Sequence, residues 1–278
     1  MTHLMEPALV ALPQVSKDTH DEHCVFCKEA RAKGETSKLG KENSSQKLET
    51  SLKGKGEPRK TYMHAVHGEF SSEPHHLVPG NQALKGHAIE QWLSKSAVDA
   101  GASRVKEDTG FDVNSHYNGY WLPSLLERLK AGGWSSSTNP AHMNMAVDVQ
   151  LQESQQFHKG GHANIVDPDQ PEPKKCYIDQ TKGLLTNINK HALEWMDGFC
   201  EKSKPKAPDK APPPYYLNDV IYSHASQAMR RHVHSAPATW EYFISKPALE
   251  AHKKAKLKRA ADAEPEEQRP QKKPRLEE

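Results

Sequence analysis

Long hydrophobic runs are missing from this sequence. No apolar stretch is long enough to span a bilayer, and Met1 to Pro13 lacks the basic start and continuous apolar centre of a secretion signal. The expectation is a soluble chain, cytoplasmic when made, with no membrane partner. Cysteine is also scarce: Cys24, Cys27, Cys176 and Cys200 are too few for a disulfide scaffold, which points to synthesis in a reducing compartment. Apolar residues make up 35% of the chain, and 20 residues are proline, so the foldable core must be shorter than the 278 residues. A formal net charge of +2 excludes a generally basic protein but leaves room for local basic stretches that meet phosphates.

Histidine is what the chain has in excess, with 17 residues, and it is the side chain suited both to proton transfer near neutral pH and to transition-metal binding. Composition divides the rest. Residues 1–30 form an N-terminal segment with a CxxC motif. Residues 31–60 hold nine Lys/Arg, four Glu and three leucines, and read as a basic, solvated linker. Residues 61–200 read as the main domain, 201–214 as a Lys/Pro linker, 215–250 as a small helical extension and 251–278 as a disordered charged tail. Helices are expected over His87–Val98, Leu122–Leu129, from Thr138-Asn139-Pro140 through Leu151, over Asp179–Phe199 and over Tyr215–His232. Thr239–Ile244 fits a short strand or a helix end. The fold class is α+β, with helices dominant.

Three segments carry chemistry. In Glu73-Pro74-His75-His76-Leu77-Val78-Pro79-Gly80-Asn81, adjacent histidines precede an apolar pair and a turn, the pattern of a strand running into a hairpin. Neighbours on a strand face opposite ways, so one imidazole can face a metal while the other reaches a water. Farther on, Asn118-Gly119 precedes Tyr120-Trp121-Leu122-Pro123. Then comes His158-Lys159-Gly160-Gly161-His162, whose histidines fall on one face if the segment is helical; the two glycines would instead end a helix and leave both at a turn.

This ordered set resembles the HNH, or His-Me finger (ββα-metal), nucleases, most closely the AHH branch of bacterial toxins, over roughly Ser72 to Trp195. The resemblance implies a ββα-metal nuclease core embedded in a mostly helical domain, a metal-dependent endonuclease that hydrolyses DNA. It makes His76 the general base, Asn118 the residue that orients it, and His75, His158 and His162 ligands of one divalent ion, Mg²⁺ or Zn²⁺, with His142 a competitor for one ligand position. It also implies a cognate immunity protein as partner. Pro74 stands where the AHH pattern has alanine, at a position whose side chain performs no chemistry.

Outside that set, Cys24/Cys27 with His64/His67 offers the two-sulfur, two-nitrogen donors of a structural Zn²⁺, and Cys176 and Cys200 are alternatives to the histidine pair. Lys258-Arg259, a twelve-residue spacer and Lys272-Lys273-Pro274-Arg275 resemble a bipartite nuclear signal; in a bacterium the same charges would add nonspecific affinity for DNA. Two other functions fit the same residues: an RNase, and a noncatalytic zinc-binding module that docks on DNA or protein.

Overall fold

The computed structural model describes residues 20–29, 35–96, 98–126, 129, 139–158, 164–204 and 210–263. The class is mixed α+β. Three antiparallel strands, β1 (Tyr62–His64), β2 (Gly68–His76) and β3 (Gly119–Leu126), form one sheet in the order β1-β2-β3. The helices in chain order are α1 (His20–His23), α2 (Ser45–Gly54), α3 (Glu90–Leu93), α4 (Pro140–Glu153), α5 (Tyr177–Glu194), α6 (Tyr216–Val220), α7 (Gln227–Val233) and α8 (Lys246–Ala263). Wider π-type turns extend α5 through Trp195–Phe199 and join α6 to α7 through Ile221–Ser226.

Four of these elements differ from expectation for identifiable reasons. Within the stretch read as a linker, α2 forms because Ser44 caps it by accepting a hydrogen bond from Lys47 N at 3.4 Å. Leu48 and Leu52, one turn apart, share its inner face and are fully buried against Trp121. Lysine and glutamate stay on the outer face, including the Lys53–Glu49 pair.

Leu122-Pro123-Ser124-Leu125-Leu126 is strand, not helix. Pro123 is tolerated there because β3 is an edge strand, paired with β2 on one side alone, so its missing N–H costs no ladder bond. Its carbonyl, facing the open edge, accepts from His158 N at 2.8 Å. Pro74 obeys the same rule in β2, since it lies beyond the stretch paired with β1.

Expected as a helix over His87–Val98, α3 contracts to four residues, though Ile89, Trp92 and Leu93 are buried as the spacing requires. The charged tail is helical as far as Ala263: Ala248, Leu249 and Ala251 of α8 pack with Val147 of α4, Trp240 and Phe243, and His252 is buried with its ring on Pro237 O at 2.8 Å. Lys258 and Arg259 therefore stand on a helix, while Lys272 to Arg275 lie outside the described residues. Residues 239–244 form neither strand nor helix end beyond one 3₁₀ turn, Pro237–Thr239, and a single bridge from Phe243 to Ile165.

Expectation and structure agree for α4, whose N-cap Asn139 accepts from Ala141 N and His142 N, and for α5 and the α6–α7 run. Helix α4 follows β3 in sequence and packs Ala146 and Val149 on Tyr62 and Phe70 of the sheet. Among the described residues, no helix is long and apolar enough to cross a membrane.

Candidate active site

Strand β2 delivers His75 and His76 at its end, opposite Tyr120 and Gly119 of β3. The hairpin expected immediately after them is absent. Leu77 and Val78 instead enter the core, a π-type turn follows over Gly80–Leu84, and the chain returns to β3 some forty residues later. A cavity of about 380 Å³ opens beside the strand end, lined by Glu73, Pro74, His76 and His158 together with Asn43, Ser45 and residues 79–82.

His76 is 6% exposed, and burial lowers its pKa to about 4, a hydrogen bond from its ring to Asn114 working the other way. It is therefore a neutral imidazole at pH 7. Which nitrogen carries the proton follows from Asn114. The Asn114 amide donates through Nδ2 to Glu42 O at 3.0 Å and accepts at Oδ1 from Ser44 N at 2.8 Å, so its orientation is fixed at both ends. His76 Nε2 lies 3.2 Å from that same Oδ1 and must be the donor, which leaves the lone pair on Nδ1.

His75 is fully buried and outside the cavity lining. The Tyr177 hydroxyl spends its proton on Leu77 O at 2.8 Å, so at 3.1 Å it can only accept from His75 Nε2–H, and His75 Nδ1 holds the lone pair. The ring meets that of His158 edge to face at a centroid distance of 5.1 Å. His158 is not helical: it follows α4 by five residues and is hooked to the β3 edge by its own backbone N–H. Its Nδ1 lies 3.1 Å from Glu73 Oε2. Burial alone would raise the pKa of Glu73, but the bond from His158, its charge, Ser124 and Arg59 outweigh it and hold the carboxyl below the usual range. With Nδ1 on a carboxylate, the His158 ring is oriented as in carboxylate–histidine–metal arrangements.

The sequence singled out neither Glu73, Asn114 nor Tyr177. Glu73 lies two residues before His75, the strand period, and Asn114 three positions into the Phe111–Asn118 segment, but neither signal is specific. The Asn118 amide is engaged elsewhere than on the His76 ring. It is fully buried, accepts from Val78 N at 2.8 Å and donates to Val78 O and Val113 O, pinning the chain that leaves His76 to the chain that approaches β3. Gly119 is extended rather than a turn residue, and its role is steric: a Cβ there would meet Leu48 Cδ1 at 2.8 Å. His142 stands in the first turn of α4, away from the cavity lining, and His162 lies outside the described residues.

Among the described residues, the group whose metal-type ligand atoms lie within 4.8 Å of one another is Cys24, Cys27 and Cys200, which could hold a metal ion. The proposed partners of the CxxC pair, His64 and His67, are instead stacked on each other at 4.5 Å in the β1–β2 turn, with His67 Nε2 on Asp148 Oδ2 at 2.9 Å. Cys176 caps α5 with its thiol on Asp179 Oδ2 at 3.1 Å. Of the alternatives read from the sequence, Cys200 joins the pair.

No protein-family model, curated protein or solved structure matches the chain.

Proposed function

We propose that this chain is a metal-dependent endonuclease that hydrolyses DNA phosphodiester bonds with His76 as general base. The observation that carries the reading is the cavity at the end of β2, where a neutral, tautomer-fixed His76 adjoins a Glu73–His158 pair whose outer nitrogen suits a divalent ion. The order strand, strand, helix, with the second strand antiparallel to the first and α4 packed on the same sheet, supports a ββα-metal core. The imidazoles of His158 and His75 have the donor chemistry for Zn²⁺, whereas Mg²⁺ would draw chiefly on the Glu73 carboxylate and water, and the ion, when bound, would stabilise charge on the phosphoryl group and leaving oxygen. His76 Nδ1 takes the proton from the attacking water, and Asn114 holds the ring while the charge on it develops. Asn118 is a positioning residue that keeps the backbone after His76 in register. The resemblance to AHH toxins extends the proposal to a toxin role and an immunity protein.

The test is supercoiled-plasmid cleavage by wild type and His76→Ala after chelator treatment, across a divalent-metal series and with RNA as a parallel substrate, the fold being checked by circular dichroism. Metal-dependent DNA cleavage lost in the folded variant is expected. Intact DNA with natively folded wild type and every metal refutes the reading, and cleavage of RNA alone moves it to a ribonuclease.

A further inference from the structure

The three clustered cysteines lie in a part of the molecule that the nuclease reading does not use. Cys24 and Cys27 belong to a tight turn closed by Cys27 N and Lys28 N, which both donate to Cys24 O at 3.2 and 3.0 Å. That turn aims both thiols to one side. Cys200 comes from the other end of the fold: it ends the π-type turn beyond α5, with its N–H on Trp195 O at 2.9 Å and its carbonyl held by Ser203 Oγ at 2.6 Å. All three sulfurs lie within 4.8 Å of one another, and Cys27 Sγ and Cys200 Sγ are 3.5 Å apart across 173 residues of sequence.

Those separations have the scale of a shared ion. Zinc bonded to thiolates at about 2.3 Å in a tetrahedron spaces the sulfurs about 3.8 Å apart. A disulfide needs only two of them and a separation of about 2 Å, so it leaves a third buried thiol unexplained. Three thiolates this close would repel one another, and a cation among them removes that repulsion.

We infer that Cys24, Cys27 and Cys200 bind one zinc ion as three thiolates, a structural site that clamps the N-terminal turn to the chain beyond α5. Binding releases three thiol protons to solvent and forms three Zn–S bonds with no change of oxidation state. The fourth position is filled by no Cys, His, Asp or Glu among the described residues. The clamp closes a unit that already packs: Val25 is in the main core, Phe26 meets Trp92 edge to face at 5.9 Å, and Lys28 lies over the Tyr216 ring at 4.8 Å. The site is independent of the cavity at His76, so its fate and that of the nuclease reading separate.

The test begins with full-length wild type, produced in zinc-supplemented medium under reducing conditions and desalted. Elemental analysis should find one zinc per chain retained after brief chelator exposure. Titration with an organomercurial should release it in step with modification of three thiols. Cobalt substitution should give the intense thiolate-to-cobalt charge-transfer absorption, which a histidine/carboxylate site lacks, so an ion held at His75 and His158 cannot imitate it. Cys200→Ser and Cys24→Ser/Cys27→Ser should lose the ion, whereas His76→Ala should keep it. Wild-type protein that retains no zinc, takes up cobalt without the charge-transfer band, or isolates with a Cys27–Cys200 disulfide overturns the inference whether or not the serine variants fold.

Discussion

Replacing Asn114 by aspartate should move the pH profile of the reaction while leaving its chemistry in place. In wild type, His76 titrates near 4, so the acidic limb of kcat/KM should lie about two units below that of an ordinary histidine. A carboxylate at position 114 keeps the acceptor for Ser44 N–H and His76 Nε2–H, 2.8 and 3.2 Å away, and adds a negative charge beside the ring. Such a charge raises an imidazole pKa by about 1–3 units, which carries the limb to between about 5 and 7. The variant loses the bond from Nδ2 to Glu42 O, costing on the order of 1 kcal/mol of stability, too little to unfold the chain. Asn114→Ala should act the other way: without the bond that now favours the charged ring, the limb moves lower and the rate falls as the tautomer is released. The assay is initial cleavage of a fluorescent oligonucleotide from pH of about 4 to about 8, alongside long-range proton–nitrogen NMR of His76. Opposite displacements of the limb distinguish a positioning role from mere packing. An Nδ1–H tautomer for His76 in wild type, or an unmoved limb in folded Asn114→Asp, refutes the reasoning.

Glu73→Ala should weaken divalent-metal binding by about 10- to 100-fold with the fold retained, because His158 loses the carboxylate that orients it; manganese calorimetry with unchanged affinity would remove Glu73 from the site. Gly119→Ala places a Cβ 2.8 Å from Leu48 and 3.0 Å from Leu52, so urea denaturation should show a loss of about 1–3 kcal/mol, relieved when Leu48→Ala is added to make room. Acid should destabilise the chain well before its carboxylates are all protonated. His76 and His232 both have folded pKa values lowered by burial to about 4, so the unfolded state binds the extra protons, and stability present above about 6.5 is lost as pH falls toward 4. Each contributes on the order of 3 kcal/mol over that window, and Glu73, also lowered, adds a loss of the same sign. A melting temperature that is flat from pH 7 to about 4.5 would contradict this.

The elements legible in the sequence were those whose signal is local. Asn139-Pro140 opens α4 through side-chain capping and a pre-set φ, and the apolar spacing of Asp179–Phe199 produces the long α5, both as expected. The failures are elements decided by neighbours. Leu122–Leu129 has helical composition, yet its first half is strand because β2 offers a ladder on one side and an edge position excuses Pro123 on the other. In 31–60 the charge count masked two leucines spaced four apart, and those two, packing on Trp121, suffice to fix α2. The stretch that follows His252 read as a tail because the helix it continues is anchored by Ala248, Leu249 and Ala251 on Val147 of α4, about a hundred residues earlier.

For the site, motif order grouped His75, His76 and His158, which the fold brings together near the end of β2, but it did not show what supports them, because support is tertiary. Motif order pointed to Asn118 as the residue that orients His76, but the strand geometry directs that amide to the backbone of Val78 and Val113. The orienting group is Asn114, brought to the ring by a loop anchored on Glu42 and Ser44 at the start of α2. Helix α2 thus connects the two misread features. Its N-terminal approach fixes the amide that selects the His76 tautomer, and its leucines press on Gly119 opposite His76 in the sheet. A segment with the composition of a solvated linker therefore sets both the tautomer and the position of His76, the proposed base. Destabilising α2 at Leu52, which is outside the cavity lining, should reduce cleavage together with stability.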